Sequence, residues 1–152
     1  MYMQHKSLAV ARTMQQQCLG MRAAYLHRLV SRRYERALRP LGLSIAQLEI
    51  LSMLILGDDP RRPAELAERL GMERSTVSRN LALMTQHGLV ETAETSPTGR
   101  SLRVMVTDSG RGAVARAEQA WRSAQADVKS AIGPEAADEM DGWLAGLAER
   151  GF

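Results

Sequence analysis

The chain of 152 residues contains a single cysteine, Cys18, and only three histidines. One cysteine cannot form a disulfide within the chain, and it cannot supply the convergent ligands that a structural zinc site requires. The histidines, His5, His27 and His87, are too far apart in the sequence for one helix turn to present two of them together. A disulfide scaffold is therefore excluded, and we expect neither a metal site nor a cofactor.

Aromatic residues are also scarce, at 4% of the chain, so leucine, alanine and the nine methionines must supply most of the core. These three residue types have high helix propensities, which favours a mostly helical protein. Hydrophobic residues make up 45% and charged residues 24%, which is typical of a globular domain rather than of a disordered chain. A chain of this size buries roughly 68–70% of its unfolded surface, so a conventional core is sufficient for folding.

Long apolar runs are missing as well. A bilayer-spanning helix needs roughly 18 apolar residues, whereas the longest near-apolar run, residues 48–56, is interrupted by Glu49 and Ser52. The N-terminal segment MYMQHKSLAVARTMQQQ lacks the continuous apolar stretch and cleavage-site pattern of a secretory leader. We therefore expect a cytoplasmic protein with no membrane partner.

Lysine is nearly absent, because all but two of the 20 basic residues are arginine. The net charge of +3 is unevenly distributed: residues 1–60 have eight basic and four acidic residues, residues 61–103 have seven and five, and residues 104–152 have five and eight. Guanidinium groups pair with phosphate oxygens and guanine edges better than ammonium groups do. The basic front of the chain is compatible with a polyanion partner, although an arginine-rich genome would give the same composition.

Apolar periodicity predicts a long first helix over about residues 8–40 and a second helix from Ser44 to Gly57. The apolar face of the first helix repeats at steps of three and four: Leu19, Ala23, Leu26, Val30, Tyr34, Ala37 and Leu41. Towards the other end, a helix capped by Thr107 or Asp108 is predicted to end at Ile132. After Gly133 and Pro134, a last helix is predicted over residues 135–150.

The middle of the chain has the pattern of a helix-turn-helix. A short helix over residues 63–70 and another over about residues 73–87 are separated by a break that contains Gly71. Two predicted strands follow, residues 90–95 and 102–107, and the second alternates Leu102, Val104 and Val106. The segment 96–100 between them is a hairpin tip. Val77, Leu81 and Met84 are predicted to face the core from the second short helix.

Short hydroxyls, arginine and asparagine on the outward side of that helix are the residue types that approach phosphates and read base edges. The predicted DNA-binding residues are Arg74, Ser75, Thr76, Ser78, Arg79 and Asn80 on the helix, with Thr98, Arg100 and Arg103 on the hairpin. On an isolated helix, the same residues would equally form a solvated face in which Arg79 pairs with a carboxylate. The adjoining hairpin with its own arginines favours nucleic-acid binding.

Taken together, these segments resemble the multiple-antibiotic-resistance regulators, the MarR family of winged helix-turn-helix transcription factors. The similarity runs through RRYERALRPLGLSIAQLEIL, ELAERLG, STVSRNLALMTQHGLV and TDSGR, in that order and spacing. It implies a mostly α fold with a small β-hairpin wing. In this arrangement, residues 41–107 form a winged helix-turn-helix DNA-binding lobe, and residues 1–40 and 108–152 form a helical dimerisation lobe.

The resemblance also implies a function. Members of the family are homodimeric transcriptional regulators that bind pseudo-palindromic double-stranded DNA, so we expect a repressor released by a small-molecule effector. Arg100 matches the family's minor-groove arginine, but Thr98 stands where the family usually has an orienting Asp. Glu91 and Glu94 also make the first strand acidic, where the family often has basic residues. The wing is therefore expected to contribute less affinity than usual.

Two candidate regulatory features lie on the first helix. Tyr25 and Arg28 are three residues apart and would suit a phenolic or carboxylate effector, although a dimer-core tyrosine beside a paired arginine is the simpler interpretation. Cys18 lies near the position of the reactive thiol in the family's hydroperoxide-sensing branch, but that thiol corresponds to Gly20. Two residues on a helix amount to about 200° of rotation, so the thiol's environment is not transferable. A redox-responsive regulator stays an alternative hypothesis.

No set of residues in the sequence forms the nucleophile, base and orienting group of an enzyme, and no glycine-rich phosphate loop is present. We therefore expect a protein that is not an enzyme. A further alternative is a helical interaction protein that has kept this fold and lost DNA binding. Only a DNA binder would show affinity that falls steeply with salt.

Overall fold

A computed structural model describes residues 2–57, 59–94 and 102–151. The described residues form seven α-helices and one β-hairpin, which confirms the predicted fold class. The elements are α1 (Tyr2–Gln17), α2 (Leu19–Leu38), a 3₁₀ turn (Arg39–Leu41), α3 (Ile45–Leu56), α4 (Pro63–Leu70), α5 (Arg74–Gln86), β1 (Val90–Glu94), β2 (Leu102–Val106), α6 (Asp108–Ile132) and α7 (Pro134–Glu149).

The chain divides into two compact units, Met1–Arg33 and Tyr34–Phe152. In the first unit, the prediction of one helix that begins near residue 8 is wrong, because α1 begins at Tyr2 and an interruption at Cys18 separates it from α2. Residues 2–17 contain no glycine or proline, so no helix-breaking residue prevents the helix from beginning at Tyr2. The interruption is local, since the Cys18 amide still donates to the Met14 carbonyl at 3.0 Å.

The end of α2 differs from its predicted apolar stripe. Tyr34 is buried as expected, but Leu41 is 43% exposed and Leu38, which the stripe omits, is fully buried. Pro40 has no amide hydrogen, and the chain tightens into the 3₁₀ turn there. The helical period therefore does not extend to residue 41.

The start of α3 is held by two side chains. The Ser44 hydroxyl accepts a hydrogen bond from the Gln47 amide, and the Gln47 side-chain oxygen accepts one from the Ser44 amide, both at 3.1 Å. This capping box satisfies amides that the first turn leaves unpaired, and it confirms Ser44 as the N-cap. The Glu35 carboxylate, at the end of α2, accepts a further bond from the Ile45 amide at 2.9 Å. These bonds fix the corner between α2 and α3.

Tyr34 joins the end of α2 to α6. Its hydroxyl donates a hydrogen bond to the side-chain oxygen of Gln125, in the middle of α6. Burial raises the pKa of the Tyr34 phenol above its usual value of 10.0, because desolvation disfavours the phenolate. The hydroxyl therefore stays protonated at neutral pH and remains a donor.

The hydrophobic core of the second unit is formed by α3, α4, α5, the hairpin and α6. Val77, Leu81 and Met84 face it from α5, as the sequence predicts. The other core side chains are Tyr34, Leu38, Leu43, Leu48, Ile50, Leu51, Leu54, Leu66, Ala67, Val90, Val104, Val106, Ala113, Ala117 and Ala124. Small alanines on α6 allow it to approach this core closely.

The hairpin is antiparallel, with Val90 opposite Val106 and Thr92 opposite Val104. Leu102, predicted to face inward with Val104, is instead 58% exposed, because it pairs with Glu94 at the end of the hairpin away from the core. The pairing of β2 with a further segment of backbone was not predicted. Arg61 exchanges both backbone hydrogen bonds with Val104, at 2.9 and 2.8 Å, and thereby joins the loop before α4 to β2.

Among the described residues, no single helix has both the length and the apolar character that crossing a membrane requires. One bent pair of helices, Leu19–Leu41 and Ile45–Leu56, meets those criteria only when the two are taken together.

Candidate nucleic-acid interface

The helix-turn-helix consists of α4 and α5, and its turn depends on Gly71. This residue has φ 61°, in the left-handed region that side chains other than glycine rarely adopt. The following amide, on Met72, bonds back to the Ala67 carbonyl at 2.9 Å and closes the end of α4. The chain can then reverse direction within three residues, and α5 begins with its first turn exposed.

The outward face of α5 carries the residues that the sequence predicts for DNA binding. Arg74, Ser75, Ser78 and Arg79 are all exposed. Ser75 and Arg79 are four residues apart and so lie one turn above each other, as do Arg74 and Ser78. Ser75 and Arg79 therefore lie on the side of α5 opposite its buried row, and Arg74 and Ser78 lie on an adjoining exposed side.

The two arginines of this helix have no counter-ion among the residues that the structure describes. In the part of the chain that the structure describes, no carboxylate lies within ion-pair distance of Arg74 or Arg79. By contrast, Arg62 and Arg122 each lie within 4.0 Å of a glutamate on their own helix or its cap. The alternative in which Arg79 pairs with a carboxylate is therefore not observed. Two guanidinium groups that no described carboxylate neutralises, both on the exposed part of one helix, create a positive potential suited to an anion.

Thr76 and Asn80 are half-buried, unlike the other four predicted residues of α5. The Asn80 side-chain nitrogen donates to the Thr76 carbonyl of the same helix at 2.9 Å. Paired hydrogen bonds from asparagine to adenine use both the amide nitrogen and the amide oxygen. The second hydrogen of the Asn80 amide and its oxygen remain available, so the bond to Thr76 holds the side chain in place and a contact with a base stays a prediction.

The structure describes only one of the three predicted wing residues. Thr98 and Arg100 lie outside the described residues. Arg103, on β2, is half-buried, and its Nη1 donates to the Pro60 carbonyl at 2.9 Å. This bond, together with the backbone bonds of Arg61, ties the base of the hairpin to the loop before α4. Arg103 thus has a structural role that the sequence did not predict, and a DNA contact through its remaining donors stays a prediction.

Arg103→Ala should lower the free energy of unfolding by about 1.5–3 kcal/mol, because the substitution removes a charged donor from a half-buried carbonyl. Arg79→Ala, on the exposed face of α5, should change it by less than about 0.5 kcal/mol. Urea titrations of both variants without DNA, at one protein concentration, measure the difference. Unchanged stability of the Arg103 variant would contradict its role as an anchor of the hairpin.

The remaining candidates are exposed and lie in the first unit. The guanidinium carbon of Arg28 lies 5.7 Å from the centre of the Tyr25 ring, within the range of a cation–π contact. Tyr25 is 56% exposed, and the thiol of Cys18 is exposed as well. No group of three or more potential metal ligands comes together within the residues described.

Two residues near the interface were not predicted from the sequence. Arg61 acts through its backbone, which leaves no trace in side-chain periodicity. Glu73 is the N-cap of α5, and its side chain caps no amide of that helix. Its sequence position at the start of a predicted helix was the available signal, but the absence of a capping bond is visible only in the structure.

Comparison with known proteins gives a consistent result. The sequence profile of the MarR family matches residues 41–101. The transcriptional regulator MosR of Mycobacterium tuberculosis is 32% identical, with a TM-score of 0.75 over 90% of this chain and 98% of that one. A second structure of MosR, in complex with DNA, is 30% identical, with a TM-score of 0.71 over 90% of this chain and 100% of that one. No curated protein sequence matches the chain.

Two further solved structures include bound partners. The transcriptional repressor CouR, known from Rhodococcus jostii, is bound to a 23-mer DNA duplex; it is 26% identical, with a TM-score of 0.75 over 89% of this chain and 95% of that one. A MarR family protein of Mycobacterium tuberculosis in complex with salicylic acid is 28% identical, with a TM-score of 0.64 over 85% of this chain and 95% of that one. The chain contains a helix-turn-helix and a β-hairpin, and it is 32% identical to MosR over 98% of the length of MosR. The chain therefore belongs to the MarR family of DNA-binding transcriptional regulators.

Proposed function

We propose that the protein is a homodimeric repressor that binds a pseudo-palindromic operator, with α5 of each copy in the major groove and the hairpin beside it in the minor groove. The observation that carries the proposal is that Arg74 and Arg79 lie on the exposed part of a helix whose inner face is fixed to the core, and that neither meets a carboxylate among the described residues. Such a helix presents base-reading side chains at little cost in ordering, because its backbone is already held. The protein would meet its operator in the cytoplasm.

Dimerisation is supported by large apolar side chains that remain exposed in the single chain. On α7, Trp143 and Leu144 are 58% and 60% exposed, and on α6 Trp121 is 38% exposed. The first unit adds further exposed apolar residues: Met3, Leu8, Val10, Met14, Leu19, Met21, Tyr25, Leu26 and Leu29. Apolar residues concentrated at both ends of the chain favour an interface between two copies. This agrees with the division into a dimerisation lobe of residues 1–40 and 108–152 and a DNA-binding lobe of residues 41–107.

The charge of the two ends supports the same arrangement. Residues 1–33 contain six lysines or arginines and no acidic residue, whereas residues 134–149 contain five acidic residues and no lysine or arginine. Opposite charges on two apolar surfaces attract the basic surface to the acidic one. They also disfavour contacts between two basic or two acidic surfaces. In a two-fold dimer, the two α5 helices would lie about 34–36 Å apart, one turn of DNA.

Release from DNA is proposed to depend on a small phenolic or carboxylate effector. Tyr25 and Arg28 offer an aromatic face and a guanidinium side by side, and a relative binds salicylic acid, which combines a phenol and a carboxylate. Such a ligand would take the guanidinium from its contact with the ring and bind it through paired hydrogen bonds. The mechanism requires no catalytic step, in keeping with relatives that are regulators rather than enzymes.

Selection of binding sites from a random DNA library, followed by sequencing, tests the proposed function. We expect enrichment of an inverted repeat and an affinity that falls steeply with salt, because basic side chains displace counter-ions from DNA. A protein that binds no DNA at low salt would instead be a helical interaction protein of the same fold. A redox-responsive regulator based on the exposed thiol of Cys18 stays the alternative, and a change of operator affinity on oxidation of the protein would support it.

Arg79→Ala should weaken binding to the selected site by about 1–3 kcal/mol, because an arginine that reads a base contributes in that range. On random DNA the loss should be much smaller, since only charge is removed there. Arg116→Ala is the matched control, because it removes an exposed arginine from α6, outside the helix-turn-helix. Fluorescence anisotropy on both DNAs measures the effects. Equal losses of binding free energy on the two DNAs would indicate that Arg79 contacts a phosphate and does not read a base.

A further inference from the structure

Glu73 occupies an unusual position at the leading end of α5. Its carbonyl accepts hydrogen bonds from the amides of Thr76 and Val77, at 2.9 and 3.1 Å, so its backbone begins the helix. Its side chain is exposed and accepts no bond from the first turn. Within the described residues, no arginine or lysine pairs with its carboxylate. The carboxylate is therefore free at the end of the helix that the proposed function places in the major groove.

The helix dipole favours a negative charge at the start of α5, but neither capping nor general affinity for DNA favours a glutamate at this position. Serine, threonine, aspartate and asparagine are the preferred N-caps because their short side chains reach the amides of the first turn. A longer glutamate side chain leaves those amides unpaired. Near DNA, its negative charge is also repelled by the phosphates. In the complex with DNA, the repulsion from the phosphates is offset only if a hydrogen-bond donor of the DNA meets the carboxylate.

The major groove offers two such donors, the amino groups of cytosine and of adenine. Adenine presents its N7 acceptor beside the amino group, and this acceptor repels the second oxygen of a carboxylate. Cytosine presents its N4 amino group with no neighbouring acceptor on the same base, so a carboxylate meets only the donor. Arg74 and Arg79, on the first turns of the same helix, supply the positive potential that lets an anion approach DNA.

We propose that Glu73 is a specificity-determining residue that accepts a hydrogen bond from the N4 amino group of one cytosine in each half-site. This inference rests on the proposed DNA-binding function and adds the base that α5 selects. Glu73 at the start of α5 and Arg79, six residues further along, would then read cytosine and guanine at different positions of the site.

The test is site selection from a random DNA library with the wild-type protein and with two variants. Glu73→Gln keeps the size of the side chain and removes its charge. Glu73→Ser removes the carboxylate and supplies a good N-cap, so α5 is more stable and a loss of preference cannot come from unfolding. Glu139→Gln, an exposed glutamate of α7, is the matched control for the change in net charge. Circular dichroism confirms that each variant is folded.

We expect the wild-type protein and the Glu139 variant to enrich cytosine at one position of each half-site. Glu73→Ser should lose that preference, with cytosine discrimination reduced by roughly 5- to 100-fold and the other positions unchanged. Glu73→Gln should shift the preference at that position from cytosine towards adenine, because an amide can donate to N7 and accept from N6. Identical base preferences in all four proteins, with affinity raised on every sequence by Glu73→Ser, would overturn the inference and leave the proposed function intact. Failure of the wild-type protein to enrich any sequence would overturn both.

Discussion

Gly110→Ala should destabilise the protein by about 3 kcal/mol or more, the upper end of the range for overpacking a core. A Cβ atom on Gly110 would lie 2.1 Å from the Leu89 carbonyl oxygen and 2.8 Å from a methyl group of Val106. The first of these neighbours is backbone and cannot rotate away. Relief of the clash would move the first turn of α6 away from the turn that leads into β1.

Several bonds would be strained by such a movement. The Leu89 carbonyl accepts from the Thr107 amide at 3.1 Å, and the Thr107 hydroxyl caps α6 through the Gly110 amide at 3.1 Å. The same hydroxyl donates to the Gly88 carbonyl at 2.6 Å. Since native domains are stable by only about 5–15 kcal/mol, this loss would raise the ratio of unfolded to folded protein by roughly 100-fold or more.

Gly112→Ala is the matched control on the same helix. Its Cβ would meet only the end of the flexible Arg116 side chain, at 3.2 Å. Alanine in place of glycine within a helix should stabilise it by about 0.5–1 kcal/mol. Urea denaturation followed by circular dichroism, at one protein concentration, should move the two midpoints in opposite directions. A Gly110 variant as stable as the wild type would contradict the close contact with Leu89.

The second large effect is expected at the proposed dimer interface. The double variant Leu144→Glu, Leu147→Glu should be folded but monomeric, because in a two-fold interface both copies would bury new carboxylates in an apolar surface. The two leucines are 60% and 48% exposed in the single chain, so the substitution should not disturb the core. The acidic residues already present on α7 would add like-charge repulsion.

Loss of the dimer should also reduce operator affinity by about 100-fold or more, because the second half-site would no longer be bound at a high effective concentration. Leu56→Glu, at a leucine that is 84% exposed at the end of α3, is the matched control and should leave both properties unchanged. Light scattering after size exclusion and DNA titration measure the two effects. A double variant that remains dimeric at the same concentration would place the interface elsewhere.

The helix-turn-helix was predictable because its signals are local. The inward row Val77, Leu81 and Met84, the stop at Gly71 and the cap at Ser44 depend on residues within four positions of one another. The same is true of the outward arginines of α5, since their side of the helix follows from the position of the apolar row. The break at Cys18 and the start of α1 were missed, because amphipathic patterns define the ends of helices poorly.

The sequence by itself determined the helical class, the order of the elements and the residue types on the outward face of α5. Which of those residues lack a hydrogen bond or ion pair within the described part of the chain depends on the tertiary structure. Arg103 is bonded to Pro60, 43 positions away, whereas Arg74 and Arg79 meet no described carboxylate. Contacts between distant segments also explain why position 110 needs glycine and why Arg61 pairs with Val104. Local periodicity contains no information about such contacts, because they depend on how the helices and the hairpin pack together.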